Sequence, residues 1–271
     1  MRINCNAKIN LGLYVTEKRE DGFHNLESIF LPIPWYDVVD IQKAEKTSFS
    51  SSGIKIDGES SSNLCLKAYQ LLAQEFIMPP VSIHLEKNIP IGAGLGGGSS
   101  DAAYVLKGLN ELFQLNLSTE KLKKLAAELG SDCPFFIENK AAFVTGRGEE
   151  LTTDINLQLN CYCLVVNPGI HISTKEAYSN IIPQKSPFNL LTLNELPQND
   201  WQGIVSNDFE KALEIRHVPL QKVRAELQKL SPFYISMSGS GSTYFALLNK
   251  KPIGYDFGEL STKCFKLTIN Q

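Results

Sequence analysis

The stretch Pro90-Ile91-Gly92-Ala93-Gly94-Leu95-Gly96-Gly97-Gly98-Ser99-Ser100-Asp101 places five glycines and two serines directly ahead of a helical pattern. Glycines admit positive φ and let the backbone approach a ligand closely, so successive N–H groups can converge on one anion. The helix expected over 99–113 aims its unpaired N–H groups and its positive dipole end at the same point. The stretch reads as a phosphate cradle. No lysine follows it, so GxxxxGK[ST] is not met. The spacing Gly92-Ala93-Gly94-Leu95-Gly96-Gly97 does satisfy GxGxxG, but residues 88–90 separate it from the alternating strand pattern Val81-Ser82-Ile83-His84-Leu85. A second helix at 118–129 then stands where a dinucleotide fold needs a returning strand with an acid. The apolar Ile89, Ile91 and Leu95 argue against a plain flexible linker.

The chain has 271 residues, 43% of them apolar and 20% charged, with a net charge of −3. That is ordinary for a soluble globular protein, long enough for one large domain or two lobes. With no long basic run, neither nucleic acid nor a membrane surface is expected as a partner. The six cysteines form no CxxC pair, and their apolar neighbours favour reduced core thiols over disulfides or a zinc site. Cys161 and Cys163 would share the core face of one strand. No segment reaches membrane-spanning length and the N-terminus carries no apolar signal core, so a cytoplasmic location is expected.

In the first fifteen residues Ile3, Cys5, Ala7, Ile9, Leu11, Leu13 and Val15 take every odd position, the period of a half-buried strand. The even face carries Asn4, Asn6, Lys8 and Asn10. A surface lysine on an edge strand is one reading. Asparagines are poor strand formers, and three on one face suggest a face that meets a polar ligand. Strands and turns alternate over 26–56, and Asn63 caps a helix to about residue 76. Further strands are expected at 141–145, 161–166 and 243–248, with late helices near 208–215 and 219–230. The fold class is α+β, in two lobes. Asp132, ahead of Pro134, is either a helix N-cap or a catalytic base that needs a cation beside it and a hydroxyl within reach.

Taken together, Ala7-Lys8-Ile9-Asn10-Leu11, the stretch 90–100 and Ser238-Gly239-Ser240-Gly241 resemble the GHMP kinases, the superfamily of galactokinase, homoserine kinase, mevalonate kinase and phosphomevalonate kinase. The resemblance covers essentially the whole chain. It implies a two-lobed α+β GHMP kinase fold with the active site in the cleft between lobes, residues 1–150 forming the N-terminal lobe and 151–271 the C-terminal one. It also implies ATP and Mg2+. Lys8 and Asp132 would be the catalytic pair, the aspartate accepting the hydroxyl proton. The stretch 90–100 would hold the β- and γ-phosphates, with Ser100 touching Mg2+. Asn63 and Lys87 would lie beside the adenine; a helix N-cap and a solvated lysine are their alternatives.

Asp21-Gly22-Phe23-His24, Gly130-Ser131-Asp132-Cys133-Pro134-Phe135-Phe136, and Asn167-Pro168-Gly169 with Asn207-Asp208 point, within the superfamily, to a branch whose small-molecule alcohol carries a cytidine diphosphate group. Phe23 and Tyr178 would stack on the two faces of the cytosine, His24 would read its edge, and Asn10 would also contact substrate. The branch often has tyrosine where this chain has Phe23; stacking survives the change and any bond from the hydroxyl is lost. Mevalonate, phosphomevalonate or homoserine as substrate is the alternative within the superfamily. A nucleotide-binding protein without phosphotransfer is the alternative outside it, against which Lys8 and Asp132 count. A monomer or weak homodimer is expected. The segment 238–242 would close the site near the diphosphate or form a tight turn. His84, His171 and His217 match no motif.

Overall fold

In the computed structural model, which describes residues 1–179 and 181–271, the odd-position apolar run forms β1 (Arg2–Lys18). It is covered on both faces rather than one: Asn6, Lys8 and Asn10 are as buried as Ile9 and Leu11. The reading of Lys8 as a surface lysine on an edge strand is thereby corrected. Polar side chains are tolerated there because they find partners. Asn6 Oδ1 accepts from the Tyr104 hydroxyl at 2.7 Å, and Asn10 Nδ2 donates to Ser28 Oγ at 3.0 Å.

Two compact units interleave along the chain. One comprises Met1–Ala7, Pro34–Ile91 and Gly96–Lys140; the other Lys8–Ile33, Gly92–Leu95 and Ala141–Gln271. The boundary does not fall once near residue 150, because β1 and β2 (His24–Lys43) each run through both units. The glycine stretch is itself divided between Leu95 and Gly96.

In the first unit, β3 (Ser48–Gly53) pairs in parallel with β4 (Val81–Lys87), which pairs antiparallel with the second half of β2. Four helices, α1 (Leu64–Glu75), α2 (Gly97–Leu112), α3 (Thr119–Leu129) and α4 (Cys133–Glu138), pack together, with α2 touching each of the others. Their ends follow local chemistry: Asn63 Oδ1 accepts from Cys65 N at 2.9 Å to start α1, Ser118 caps α3, and Gly130 ends it. The helix α2 buries Ala102, Val105, Leu106 and Leu109, each leucine contributing about 1.5–3 kcal/mol by leaving water.

In the second unit, β5 (Ala142–Thr145) pairs with the first half of β2 and with β6 (Glu150–Thr152). A separate antiparallel sheet has the order β10-β7-β9-β8, from β7 (Gln158–Asn167), β8 (Tyr234–Met237), β9 (Tyr244–Leu248) and β10 (Ser261–Asn270). Alongside lie α5 (Thr174–Tyr178), α6 (Trp201–Ile204), α7 (Asp208–Arg216) and α8 (Val218–Gln228). Leu164, Val166 and Ala246 of the sheet meet Phe209 and Leu213 of α7, Leu220 and Val223 of α8, and Leu13 and Val15 of β1 in one core. All six cysteines are free in the structure, five of them buried, and no cluster of metal-ligating residues occurs among the described residues.

The turn between β8 and β9 is pinned from below by a single side chain. Asn207 Nδ2 donates to the Met237 and Gly239 carbonyls, both at 2.8 Å, while its Oδ1 accepts from Phe209 N at 2.9 Å and caps α7. Asn207→Ala takes the Asn207 bond from the buried Gly239 carbonyl, leaves the Met237 carbonyl only the longer 3.3 Å bond from Ser236 Oγ, and removes a cap, a loss of about 3 kcal/mol. Denaturant melts should show a fall of that size with unchanged slope; a change below about 1 kcal/mol would contradict the pinning.

Candidate active site

The first half of the glycine stretch is built against the β8–β9 turn. At Gly94 φ is +78°, and any Cβ would lie 1.9 Å from the Ser238 carbonyl oxygen, so only glycine fits. Ser238 Oγ donates to the Gly94 carbonyl at 2.9 Å, and Thr243 N donates to the Ala93 carbonyl at 3.2 Å. The segment 238–242 is therefore a tight turn, and one that holds the stretch. Lys8 joins the same assembly. Its N–H donates to the Leu95 carbonyl at 2.9 Å, its ammonium donates to Asn10 Oδ1 at 2.6 Å, and the ammonium lies 4.4 Å from the Phe30 ring centroid. Asn10 Oδ1 is also 3.4 Å from Ser238 Oγ. The structure thus brings Lys8, Asn10 and residues 92–95 together, as their common polar face suggests.

The second half enters α2 through Gly96, whose left-handed backbone (φ +69°) forms the N-cap. Ser99 is half-buried near the Cys133 thiol, whose pKa burial pushes up to about 12, with Ser99 pulling the other way. Asp132 immediately precedes that cysteine and occupies the N-cap position of α4, where its side chain makes no capping bond. Ser100 is fully buried, and its hydroxyl has no hydrogen-bond partner among the described residues. A buried hydroxyl left in that state costs about 1–3 kcal/mol, which favours a ligand that satisfies it.

Asn63 caps α1, a task that uses its oxygen and leaves its amide donors for another partner. Lys87 corrects the sequence reading. It is 4% exposed, its ammonium held by Asp37 and by Asp101 Oδ2 at 2.7 Å. It is not the solvated lysine that stands as the alternative to a place beside the adenine. Burial, with Asp37 nearby, raises the Asp101 pKa to about 7 against the lowering pull of Lys87.

Also in the second unit, the His24 ring stacks on Tyr178 (centroids 4.8 Å apart, 29° between planes), and Tyr178 meets Phe209 edge-on. Burial lowers the His24 pKa, with Lys18 adding to the effect, so the neutral ring keeps one donor and one acceptor nitrogen. Phe23 is 52% exposed, and the Arg147 guanidinium lies 5.0 Å from its ring centroid. The expected group of three is thus assembled differently: His24 itself contacts Tyr178, and Phe23 is backed by Arg147. Sequence reasoning also missed His171, whose exposed imidazole lies so close that a Cβ on Gly92 would be 2.7 Å from it. No local motif signals that contact.

Residues 63–140 match the family model described as the GHMP kinases N terminal domain. The 4-diphosphocytidyl-2-C-methyl-D-erythritol kinase of Cytophaga hutchinsonii is 44% identical over 249 residues, covering 91% of this chain and 92% of the relative. The enzyme of the same name from Bacteroides fragilis is 47% identical over 249 residues, with 90% of each chain covered. A crystal structure of 4-(cytidine 5'-diphospho)-2C-methyl-D-erythritol kinase superposes with a TM-score of 0.73 at 32% identity, over 91% of this chain and 90% of that one. The Methanococcus jannaschii mevalonate kinase reaches a TM-score of 0.70 at only 14% identity, over 98% of both chains, a likeness of fold alone. The chain belongs to the GHMP kinases, and within them to the 4-diphosphocytidyl-2-C-methyl-D-erythritol kinase family. The α+β class read from the sequence agrees with these neighbours.

The packing at Gly94 makes a test against a matched control. Gly94→Ala should lower stability by more than about 2 kcal/mol because it needs both a strained backbone and displacement of the turn. Gly203→Ala, in α6 with nothing within 4 Å of its Cβ position, should be neutral or slightly stabilising. Equal effects of the two in thermal melts would contradict the close contact.

Proposed function

We propose that the chain transfers the γ-phosphoryl group of ATP to the 2-hydroxyl of 4-diphosphocytidyl-2-C-methyl-D-erythritol, a step in the supply of isoprenoid precursors. One observation carries the chemistry. Each half of the glycine stretch adjoins one of the two proton-handling residues: Lys8 bonds Leu95 in one unit, and Asp132 precedes the cysteine that meets Ser99 in the other. Relatives at 44% and 47% identity over nine-tenths of the chain favour this substrate over mevalonate, phosphomevalonate or homoserine.

In the reaction, the substrate hydroxyl oxygen forms a bond to the γ-phosphorus as the bond to the ADP oxygen breaks, and its proton passes to the Asp132 carboxylate. Lys8 stays hydrogen-bonded to the reacting oxygen. Backbone N–H groups of residues 92–100 and the α2 N-terminus stabilise the phosphate charge, and most of the acceleration comes from this alignment. The residues fit Mg2+ in part. The Ser100 hydroxyl, which has no partner among the described residues, would be one oxygen donor to the ion, and the chemistry the ion would supply there is neutralisation of phosphate charge. His24, Tyr178 and Phe23 take the cytosine, and Asn10 joins Lys8 at the reacting end. No helix among the described residues is long and apolar enough to cross a membrane. Action in the cytoplasm, as a monomer or weak homodimer and without nucleic acid, belongs to the same proposal.

Asp132→Asn should abolish phosphoryl transfer while ATP still binds, because the amide fills the same space and takes no proton. Lys8→Ala should reduce kcat comparably, and the double variant should be little worse than either single one; fully additive losses would break the pairing.

The cytidine end has its own readout. Tyr178→Ala should weaken binding of the cytidine substrate about tenfold to a hundredfold with ATP affinity unchanged, as loss of one base-stacking partner does. His24→Ala should instead relax discrimination between the cytidine substrate and its uridine analogue. Indifference of both variants, measured as kcat/KM, would defeat the assignment of this end.

A further inference from the structure

Beneath the glycine stretch lies a buried ammonium between two carboxylates, and apolar packing does not explain it. Lys87 occupies the inward position that Val81, Ile83 and Leu85 fill earlier in β4. One ammonium there faces two carboxylates. Replacing such a cluster by apolar residues is often neutral or stabilising, so stability alone is a weak reason for its presence.

Its geometry supplies a better one. Asp37 Oδ1 accepts the N–H groups of Asn88 at 2.6 Å and Ile89 at 2.8 Å, the residues that lead into the stretch. The other Asp37 oxygen takes the Lys87 ammonium, which reaches Asp101 on α2 at 2.7 Å. Gly97, the first residue of α2, rests on the same group: a Cβ there would lie 3.0 Å from Lys87 Nζ and 3.3 Å from Asp37 Oδ2. Three side chains therefore grip both the entry and the exit of the stretch. Asp101 Oδ1 has no partner among the described residues, so this carboxylate is held through its other oxygen by Lys87.

We propose that Asp37, Lys87 and Asp101 are positioning residues for ATP, a clamp that fixes both ends of residues 89–97 and so aims the N–H groups between them at the phosphates. The inference rests on reading that stretch as the ATP cradle. The clamp touches no phosphate. It orders the backbone before the nucleotide arrives, which reduces the ordering cost of binding, and the benefit falls on ATP rather than on the alcohol.

Asp37→Asn and Asp101→Asn, made in the full chain, test it. Calorimetric Kd for ATP with Mg2+ and for the cytidine diphosphate alcohol, the KM of each, kcat and Tm are measured. ATP Kd and KM should rise about tenfold or more in Asp37→Asn and less in Asp101→Asn, with the alcohol's Kd within about twofold of wild type. Should Asp37→Asn fail to fold, Asp101→Asn and Gly97→Ala carry the test, the latter moving the helix start off the ammonium without removing a charge. A lowered Tm with unchanged ATP Kd in every folded variant would overturn the clamp. Wild-type protein that binds no ATP would overturn the cradle and the clamp together; wild-type binding matched by all variants overturns the clamp alone.

Discussion

A backbone segment that offers its N–H groups to a ligand cannot use those groups to hold itself, and under the proposed function this constraint governs the architecture around residues 90–100. Neither a helix nor a strand ladder fixes residues 92–95. Their shape depends on the contact between Gly94 and the Ser238 carbonyl, with Ser238 Oγ returning a bond to the Gly94 carbonyl. The turn that makes this contact is in turn held by Asn207 through two carbonyls. Glycine is required at Gly94 less for flexibility than for a close approach that any side chain would prevent.

The same economy recurs in the polar network of β1. Lys8, Asn10, Ser28 and Ser238 satisfy one another in an otherwise apolar interior, so each side chain has few alternative positions. Groups held in this way need little rearrangement when charge develops, which is how a preorganised site stabilises phosphoryl transfer. The aromatic end is looser. Phe23 is half in solvent and backed by one guanidinium, whereas Tyr178 is wedged between His24 and Phe209.

Local signals in the sequence were read well. The odd-position apolar residues of β1, the glycine stretch before α2, the Asn63 cap and the late helices follow from periods and caps that act within a few residues. What escaped depends on partners distant in sequence. The polar face of β1 suggests one-sided burial until Tyr104, ninety-odd positions away, is seen to cover Asn6. A solvated Lys87 stays open as an alternative in the sequence because Asp37 and Asp101 are remote from it in the chain. His171 against Gly92 has no local signature, and a single cut between lobes is the natural guess when strands that run through both units cannot be seen.

The central claim is that this scaffold phosphorylates one kind of alcohol. The most direct measurement is phosphorus NMR of the purified protein with ATP, Mg2+ and 4-diphosphocytidyl-2-C-methyl-D-erythritol, run in parallel with mevalonate. The account predicts a new phosphomonoester resonance and stoichiometric ADP with the cytidine substrate, and neither above background with mevalonate. Equal turnover of mevalonate, or ATP hydrolysis without a phosphorylated alcohol, would contradict it.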